Sequence, residues 1–554
     1  MCLGTVLPLF QNGFFSFHDN TTVVRVFEMS NSLQSGMFPV RWAENLGYGY
    51  GYPIFNFYGP FPYYIGGALN LIGIDTLLAT KTMIVLGMLL APALMFVLLR
   101  KMFSTSSAVV GSIIYAYFPY HAVNLYVRGA IGELFAYAFL PLVFLGIYNL
   151  FKQQKQSSYG ESIPSIAIFA FGIFLIAVSH NLSLLMLFLI LPFIILIMLF
   201  FSASKRKFLV TIFLGAVLGL CLSAFYVLPA YWEMGYTNVT SQIGGGADFR
   251  DHYVCISQLW ESQWGFGGSV PGCLDGLSFK LGKTNILLLL IALGIFAYRI
   301  IKKKFQGADA IALVGVFVFL LSLFLMLPIS NSVWEGVSLM AYIQYPWRFI
   351  NMLGFSLAVL VGYSFVHIPT RISHNNKLLL ICAASCITIL FNLKLFNPQD
   401  FNNLTTANYT DQNYMRYTVS KISDEYMPPN FSKPEDSSSV PTEKAEVLRG
   451  SGEIIEIEKK QIGTQLKYNF TTDGTIHINQ AFFPAWKATI NDKDALLMPT
   501  KNGINIDVQK GEGVVDLVFK QTPIERTGNM LSILAFFVII LGIMLPKSYG
   551  KKAS

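Results

Sequence analysis

Between long apolar runs the sequence sets a small number of charged side chains whose types suit acid–base and phosphate chemistry. His18-Asp19 comes first, with Arg25 and Glu28 behind it. A carboxylate such as Asp19 can accept the proton of an attacking hydroxyl. It can also hold a divalent metal ion with His18 beside it, or simply cap a helix at the membrane surface. Tyr126-Val-Arg-Gly-Ala-Ile-Gly-Glu133 places Arg128 and Glu133 together at one tip. Arg128 can meet a phosphate and Glu133 can act as a second acid; a mutual salt bridge that shapes the turn is the alternative. His180-Asn181 marks a tight turn between two apolar runs, with His121 at comparable depth. Either imidazole can be an acid, a base, a metal ligand or a structural hydrogen-bond partner. Trp232-Glu233 opens one long polar loop, and Gln344-Tyr-Pro-Trp-Arg348 closes another. The guanidinium fork of Arg348 can grip two phosphate oxygens, or snorkel to lipid headgroups. The catalytic candidates are thus Asp19, Glu133 and His180, and the substrate-binding candidates Arg128, Arg348, Trp232, Glu233 and Tyr58.

The elements that must position these residues are membrane spans. Of 554 residues, 54% are apolar and only 13% charged, and the mean hydropathy is +0.53. Soluble domains carry about 25% charged residues, so a single soluble globule and a disordered chain are both excluded. The net charge of +8 does not indicate nucleic acid, because the basic residues fall in short clusters between apolar runs. Eleven stretches are long enough to cross a bilayer: 77–100, 107–127, 134–151, 163–180, 182–201, 207–229, 285–301, 309–328, 349–368, 377–396 and 527–546. Every second connection is basic: Arg100-Lys101, Lys152 with Lys155, Lys205-Arg206-Lys207, Arg299 with Lys302-Lys303-Lys304, Arg371 with Lys377, and Lys547 with Lys551-Lys552. By the positive-inside rule these connections are cytoplasmic. The others face out, and all seven Trp fall among them, either as interfacial anchors or as a sugar-stacking surface.

Five regions follow. Residues 1–13 are apolar but too short to span, and read as the remnant of a first transmembrane helix. Residues 14–76 form a first external segment, with an amphipathic stretch at 20–35, a Gly/Tyr/Pro-rich loop and an interfacial helix at 60–74. Residues 77–396 form the transmembrane helical domain of about ten spans. Residues 397–525 are different in kind, with 13 basic and 18 acidic residues, a net of 13 − 18 = −5. Their period-2 runs, such as Gly503-Ile-Asn-Ile-Asp-Val, predict antiparallel strands. An extracytoplasmic β-sandwich-like domain is expected there, behind an irregular lead-in at 397–450. Trp486 in this region is core or a carbohydrate contact. Residues 526–554 supply the last transmembrane helix and a basic cytoplasmic tail. Six Cys and no CxxC argue against a zinc ribbon or thioredoxin-like site. Cys255 and Cys273 share one external loop, where a disulfide is an option.

The phrases FPVRW, GYGYPIFNFYGPFPYY, YVRGAIGE, SHN, QYPWRF and FFPAWKATIND resemble bacterial membrane proteins named for a 6-pyruvoyl-tetrahydropterin synthase-related domain. They are similar, too, to YfhO-like membrane proteins with a terminal β-domain. An outside Asp, an interfacial helix and many spans look like the GT-C class of polytopic glycosyltransferases. The resemblance implies a mainly α, GT-C-like transmembrane bundle in the cell membrane. It implies transfer of a sugar from a polyprenyl-phosphate carrier to an envelope glycan or lipid acceptor on the outer face. In that class the first-loop Asp, here Asp19, binds a divalent metal (Mg or Mn) or acts as general base. Pterin chemistry is not expected despite the family name, because the seven His are unpaired in sequence and a three-His zinc site is not legible. Membrane lipids are the other expected partners. Two alternatives stand: a transporter or flippase for lipid-linked glycans, and a non-catalytic membrane assembly protein on the same fold.

Overall fold

The computed structural model describes residues 1–155, 159–369, 371–460 and 462–544. The basic tail residues Lys547, Lys551 and Lys552 lie outside the described residues. Among the described residues nine helices are long and apolar enough to cross a membrane, and ten if one bent pair counts as a single span. Uninterrupted apolar runs leave the chain no other way to satisfy its backbone in lipid.

Two short helices come first, α1 (Thr22–Gln34) and α2 (Phe61–Leu71). The bundle follows. It comprises α3 (Thr76–Met102), α4 (Thr105–Ala116), α5 (Pro119–Tyr126), α6 (Ile131–Lys152), α7 (Ile163–Ser179), α8 (Asn181–Phe200), α9 (Lys205–Leu222) and α10 (Ala224–Trp232). It continues with α11 (Lys283–Ile301), α12 (Gly307–Met326), α13 (Ile350–Val366) and α14 (His374–Asn392), and closes with α15 (Pro523–Met544). Helices α6 and α7 pack closely through glycine. A Cβ on Gly146 would lie 2.6 Å from the Phe169 backbone, and one on Gly172 2.9 Å from Val143 N. Without a hydrophobic drive in lipid, such small residues are what let helices approach.

Three expectations need correction. The stretch 107–127 is not one span: α4 ends at Ala116, and Phe118 turns extended ahead of Pro119, which starts α5. A residue before proline is pushed out of the helical region. The stretch 207–229 bends by 71° between α9 and α10. The amphipathic stretch at 20–35 does form a helix, but it does not lie on a surface. Both its apolar side (Val23, Val24, Val26, Met29) and its polar residues Arg25 and Glu28 are buried, because α2 packs on it, with Gly66 against Val26 and Gly67 against Met29, while Asp19 and Asn45 take up Arg25 and Glu28. The stretch 60–74 contains the 11-residue helix α2. Residues Cys2–Phe10 form a short 3-10 segment holding Pro8.

The terminal domain is a two-sheet sandwich. A four-stranded sheet has the order β3 (Ala445–Arg449), β6 (Gly474–Ile478), β10 (Gly503–Val508), β9 (Met498–Thr500). A five-stranded sheet has the order β4 (Gly452–Lys460), β5 (Gly463–Phe470), β11 (Gly511–Phe519), β7 (Trp486–Ile490), β8 (Lys493–Ala495). All pairings within these sheets are antiparallel. The alternation read in sequence becomes the core: Leu466, Tyr468, Phe470, Ile504, Ile506, Val508, Val515, Leu517 and Phe519 are buried. The domain docks on the Gly/Tyr/Pro loop. Trp42 meets Trp486 at 5.2 Å and Phe519 at 5.7 Å, and Ala481 N–H donates to Tyr50 O at 2.9 Å. Trp486 is therefore a core residue of this joint. A two-residue pairing of β1 (Phe14–Phe15) with β2 (Phe401–Asn402) ties the start of the chain to the lead-in. Cys255 and Cys273 are joined in a disulfide.

Candidate functional site

The first external segment is pinned to the α5–α6 tip. His18 N–H donates to Val127 O at 2.9 Å and Asp19 N–H to Arg128 O at 3.1 Å. The tip needs Gly129, whose φ is +65° and whose Cβ would fall 2.1 Å from the Phe17 ring. Three donors orient the Asp19 carboxylate: Thr21 Oγ1 at 2.8 Å, Arg25 Nη1 at 3.1 Å and Tyr58 Oη at 3.2 Å. Arg25 is buried, with its guanidinium 4.2 Å over the Tyr58 ring. Burial works against its charge, but Asp19 and the surrounding phenols outweigh it and hold Arg25 well above its ordinary range.

Glu133, in the first turn of α6, receives Arg128 Nη1 at 2.7 Å, Asn351 Nδ2 at 2.6 Å and Tyr120 Oη at 3.2 Å, with Arg348 Nε at 3.8 Å. With both oxygens engaged, Glu133 is placed to position the two arginines rather than to deliver a proton. Arg128 also donates to Tyr120 Oη and Asn124 Oδ1, each at 2.9 Å, and lies 4.7 Å over Trp347. Arg348 donates to Ile343 O at 2.6 Å and Gln344 Oε1 at 3.0 Å. The Gln344 backbone is held at φ +68°, a conformation that non-glycine residues adopt only under local compulsion.

His180 caps α8. Its Nδ1 accepts the Ser183 N–H at 3.2 Å, which assigns the ring proton to Nε2. Burial, together with Arg348 and Arg128, pushes its pKa down to about 3, against the pull of Glu133. At neutral pH the ring is therefore an uncharged N–H donor.

A cavity of about 400 Å³ brings seven of the expected residues to one wall: His18, Asp19, Tyr58, Arg128, Glu133, His180 and Arg348. A second cavity of about 290 Å³ shares Tyr58, His180 and Arg348 with it and adds Leu182, Met234, Ile243 and Glu425. Two expected residues are not brought in. Trp232 is exposed, and Glu233 is buried in a separate hydrogen-bonded knot with Asn56 and Thr522, because the bend between α9 and α10 turns this pair away. His121 is fully buried, with Nδ1 2.9 Å from Ala116 O; its role is structural. Trp347, one of the candidate sugar-stacking tryptophans, is on the wall, whereas the wall residues His252, Tyr345 and Glu425 escaped sequence reasoning. Burial, opposed by Arg25, pushes Glu425 up to about 7. The only signal for it was an acidic pair, Asp424-Glu425, inside a lead-in with no periodicity.

The donor set does not fit a divalent metal ion. Thr21, Arg25 and Tyr58 occupy three of the roughly four lone-pair sites of the Asp19 carboxylate, which leaves room for a proton but not for a cation beside the Arg25 guanidinium, and His18 Nε2 lies 2.7 Å from Phe266 O. Among the described residues no three His, Cys, Asp or Glu side chains gather into a metal-binding group.

Residues 55–390 match the family described as "6-pyruvoyl-tetrahydropterin synthase related domain; membrane protein". The chain belongs to this family. Family membership and the nine apolar helices make it a multi-pass membrane protein. No curated protein matches the sequence. Among solved structures, the oligosaccharyltransferase of Archaeoglobus fulgidus in its apo form is similar, with TM-score 0.47 and 13% identity, over 78% of this chain and 60% of that one. The same enzyme tethered with an acceptor peptide containing the NVT sequon gives TM-score 0.49 and 14% identity, over 77% and 57%. ArnT from Cupriavidus metallidurans bound to undecaprenyl phosphate gives TM-score 0.35 and 12% identity, over 76% and 75%. This chain spans about 60% of the length of the oligosaccharyltransferase. Overlaps of this size carry no argument about activity.

Proposed function

We propose that the protein is a membrane glycosyltransferase that moves a sugar from a polyprenyl-phosphate carrier to a hydroxyl of an envelope glycan or lipid. One observation carries the reading. A single cavity joins an oriented carboxylate, Asp19, to two largely buried guanidiniums, Arg128 and Arg348, and to the His180 N–H donor. A second cavity with partly apolar walls meets it at Tyr58, His180 and Arg348. Carboxylate and phosphate-binding groups on one wall are what this reaction asks for. The acceptor hydroxyl gives its proton to Asp19 as its oxygen bonds to the sugar carbon. The bond from that carbon to the phosphate oxygen breaks, and the electron pair stays on the phosphate. Arg348, aided by His180 Nε2–H, meets that charge, while Glu133 and Trp347 keep Arg128 and Arg348 in place. The positive-inside pattern supports an orientation with the cavity and the β-domain on the outer face of the cell membrane.

The test is transfer of labelled sugar from polyprenyl phosphate in membranes holding the protein. Wild type should transfer and Asp19→Asn should not. If Asp19→Asn protein is made at normal levels and supports wild-type envelope glycan output, the enzyme reading fails and an assembly role replaces it.

A further inference from the structure

Away from the two cavities, a third hollow of about 210 Å³ opens at the same end of the bundle, between the start of α11 and the end of α14. Lys280, Lys283 and Lys394 line it, and Glu261 is the one carboxylate on its wall. The wall charge is 3 − 1 = +2. Lys283 lies 3.1 Å from Glu261 and 5.4 Å from the Trp260 ring, and Lys280 is 5.3 Å from the Trp264 ring. No side chain caps the first turn of α11, and that turn also contributes Gly282, Lys283 and Thr284 to the wall. The Thr284 hydroxyl is buried with no hydrogen-bond partner. Below the rim the two helices present exposed apolar side chains, Leu287, Leu290 and Ile291 from α11 and Leu390 and Phe391 from α14.

We propose that this hollow binds the phosphate headgroup of an anionic phospholipid, whose acyl chains lie along α11 and α14. The polar and apolar parts follow the plan of such a lipid. Lysines and a helix N-terminus meet the phosphate, a tryptophan sits at headgroup depth, and apolar helix faces continue into the bilayer. Lys280 carries a matching signature. Burial, then Lys394 and Lys283, lower its pKa, and an anion among the three lysines would relieve that repulsion. The site shares no wall residue with either cavity of the proposed enzyme, so it does not depend on that reading.

The test uses the full chain in nanodiscs of phosphatidylcholine with a minor share of phosphatidylglycerol, with retained lipid read by native mass spectrometry. Wild type should retain phosphatidylglycerol selectively. Lys283→Gln/Lys394→Gln, which spares the half-buried Lys280, should lose about 25-fold in selectivity, at about five-fold per lysine. The Lys283→Arg/Lys394→Arg protein should keep it, and so should Asp19→Asn. Equal retention by wild type and the Gln protein overturns the proposal. Displacement of the lipid by millimolar inorganic phosphate overturns it in favour of a free-anion site. Displacement by equimolar polyprenyl phosphate overturns it in favour of a carrier site.

Discussion

Two buried charge clusters sit near the same end of the bundle, and one of them lines a large cavity. Around Arg41 the groups close on one another. Its guanidinium donates to Asn56 Oδ1 at 2.7 Å and to Phe225 O and Asn529 Oδ1, each at 3.1 Å, and lies 3.4 Å from Glu525. Asn56 Nδ2 bridges Glu233 and Glu525 at 3.1 Å each, and Thr522 Oγ1 donates to Glu233 at 2.5 Å. This knot locks the first external segment, α10 and α15 together. Around Asp19, Arg128 and Arg348 there are ion pairs of similar quality, but the same side chains form the wall of a 400 Å³ cavity. Ionisable residues at membrane depth are often functional. The contrast shows that the useful mark is unspent capacity facing a cavity, not the presence of charge.

The largest expected effect breaks the closed cluster. Arg41→Met leaves Glu525 and Glu233 facing each other without their cation. Removing one partner of a buried pair costs about 3–5 kcal/mol, so thermal unfolding in detergent should show a large loss of stability. Arg348→Met, beside the open cavity, should unfold at a higher temperature than Arg41→Met. If the order is reversed, the distinction between closed and open clusters is wrong.

The next effect is on rate. Asp19→Asn should cost about 2–4 kcal/mol of barrier, roughly 10²–10³ in transfer rate, through lost proton acceptance. Its melting temperature should fall as well, because Asn leaves the buried Arg25 without its carboxylate, so transfer is compared at equal amounts of folded protein. Arg348→Lys should raise the carrier KM more than it lowers kcat, because lysine keeps the charge and loses the fork.

A smaller effect is the pH dependence of the knot. Burial first, and the Glu525 carboxylate second, push Glu233 from 4.5 up to about 7. Between those values the folded protein binds a proton that the unfolded chain has released. Stability therefore falls as pH rises from about 4.5 to about 7, by on the order of 2 kcal/mol. Glu233→Gln should flatten that slope, as measured by melting temperature across the window. An unchanged slope would assign the dependence elsewhere.

The sequence made the spans, the sandwich and the charged side chains of the larger cavity legible, for distinct reasons. Apolar runs and period-2 strands are local patterns, so the helices and strands such as β5, β10 and β11 follow from them. Asp19, Arg128, His180 and Arg348 each stand at the end of an apolar run, and ends on one side of a bundle must meet. Glu425 and His252 were hidden because they come from loops whose return to the cavity depends on tertiary contacts, such as Asn238 N–H donating to Met427 O at 2.9 Å. The break at Phe118-Pro119 was missed because proline is tolerated in membrane helices. Trp232-Glu233 was misplaced for a related reason. A bend of 71° cannot be read from composition, and it decides which way the pair faces.

That misplacement yields the smallest prediction. Trp232 and Trp347 both looked like candidate sugar or interface contacts in sequence. Trp232 is 60% exposed and touches Tyr231 at 4.9 Å, whereas Trp347 is 3% exposed and lies under Arg128 at 4.7 Å. An exposed aromatic at a membrane rim contributes partitioning rather than packing, so Trp232→Ala should change stability by no more than about 0.5 kcal/mol. Transfer should stay at the wild-type rate. Trp347→Ala removes a buried ring and the cation–π contact that holds Arg128, and it should lower transfer together with the melting temperature. A loss of transfer in Trp232→Ala at unchanged stability would mean that substrate reaches across the rim, and it would return Trp232 to the binding set from which the bend removes it.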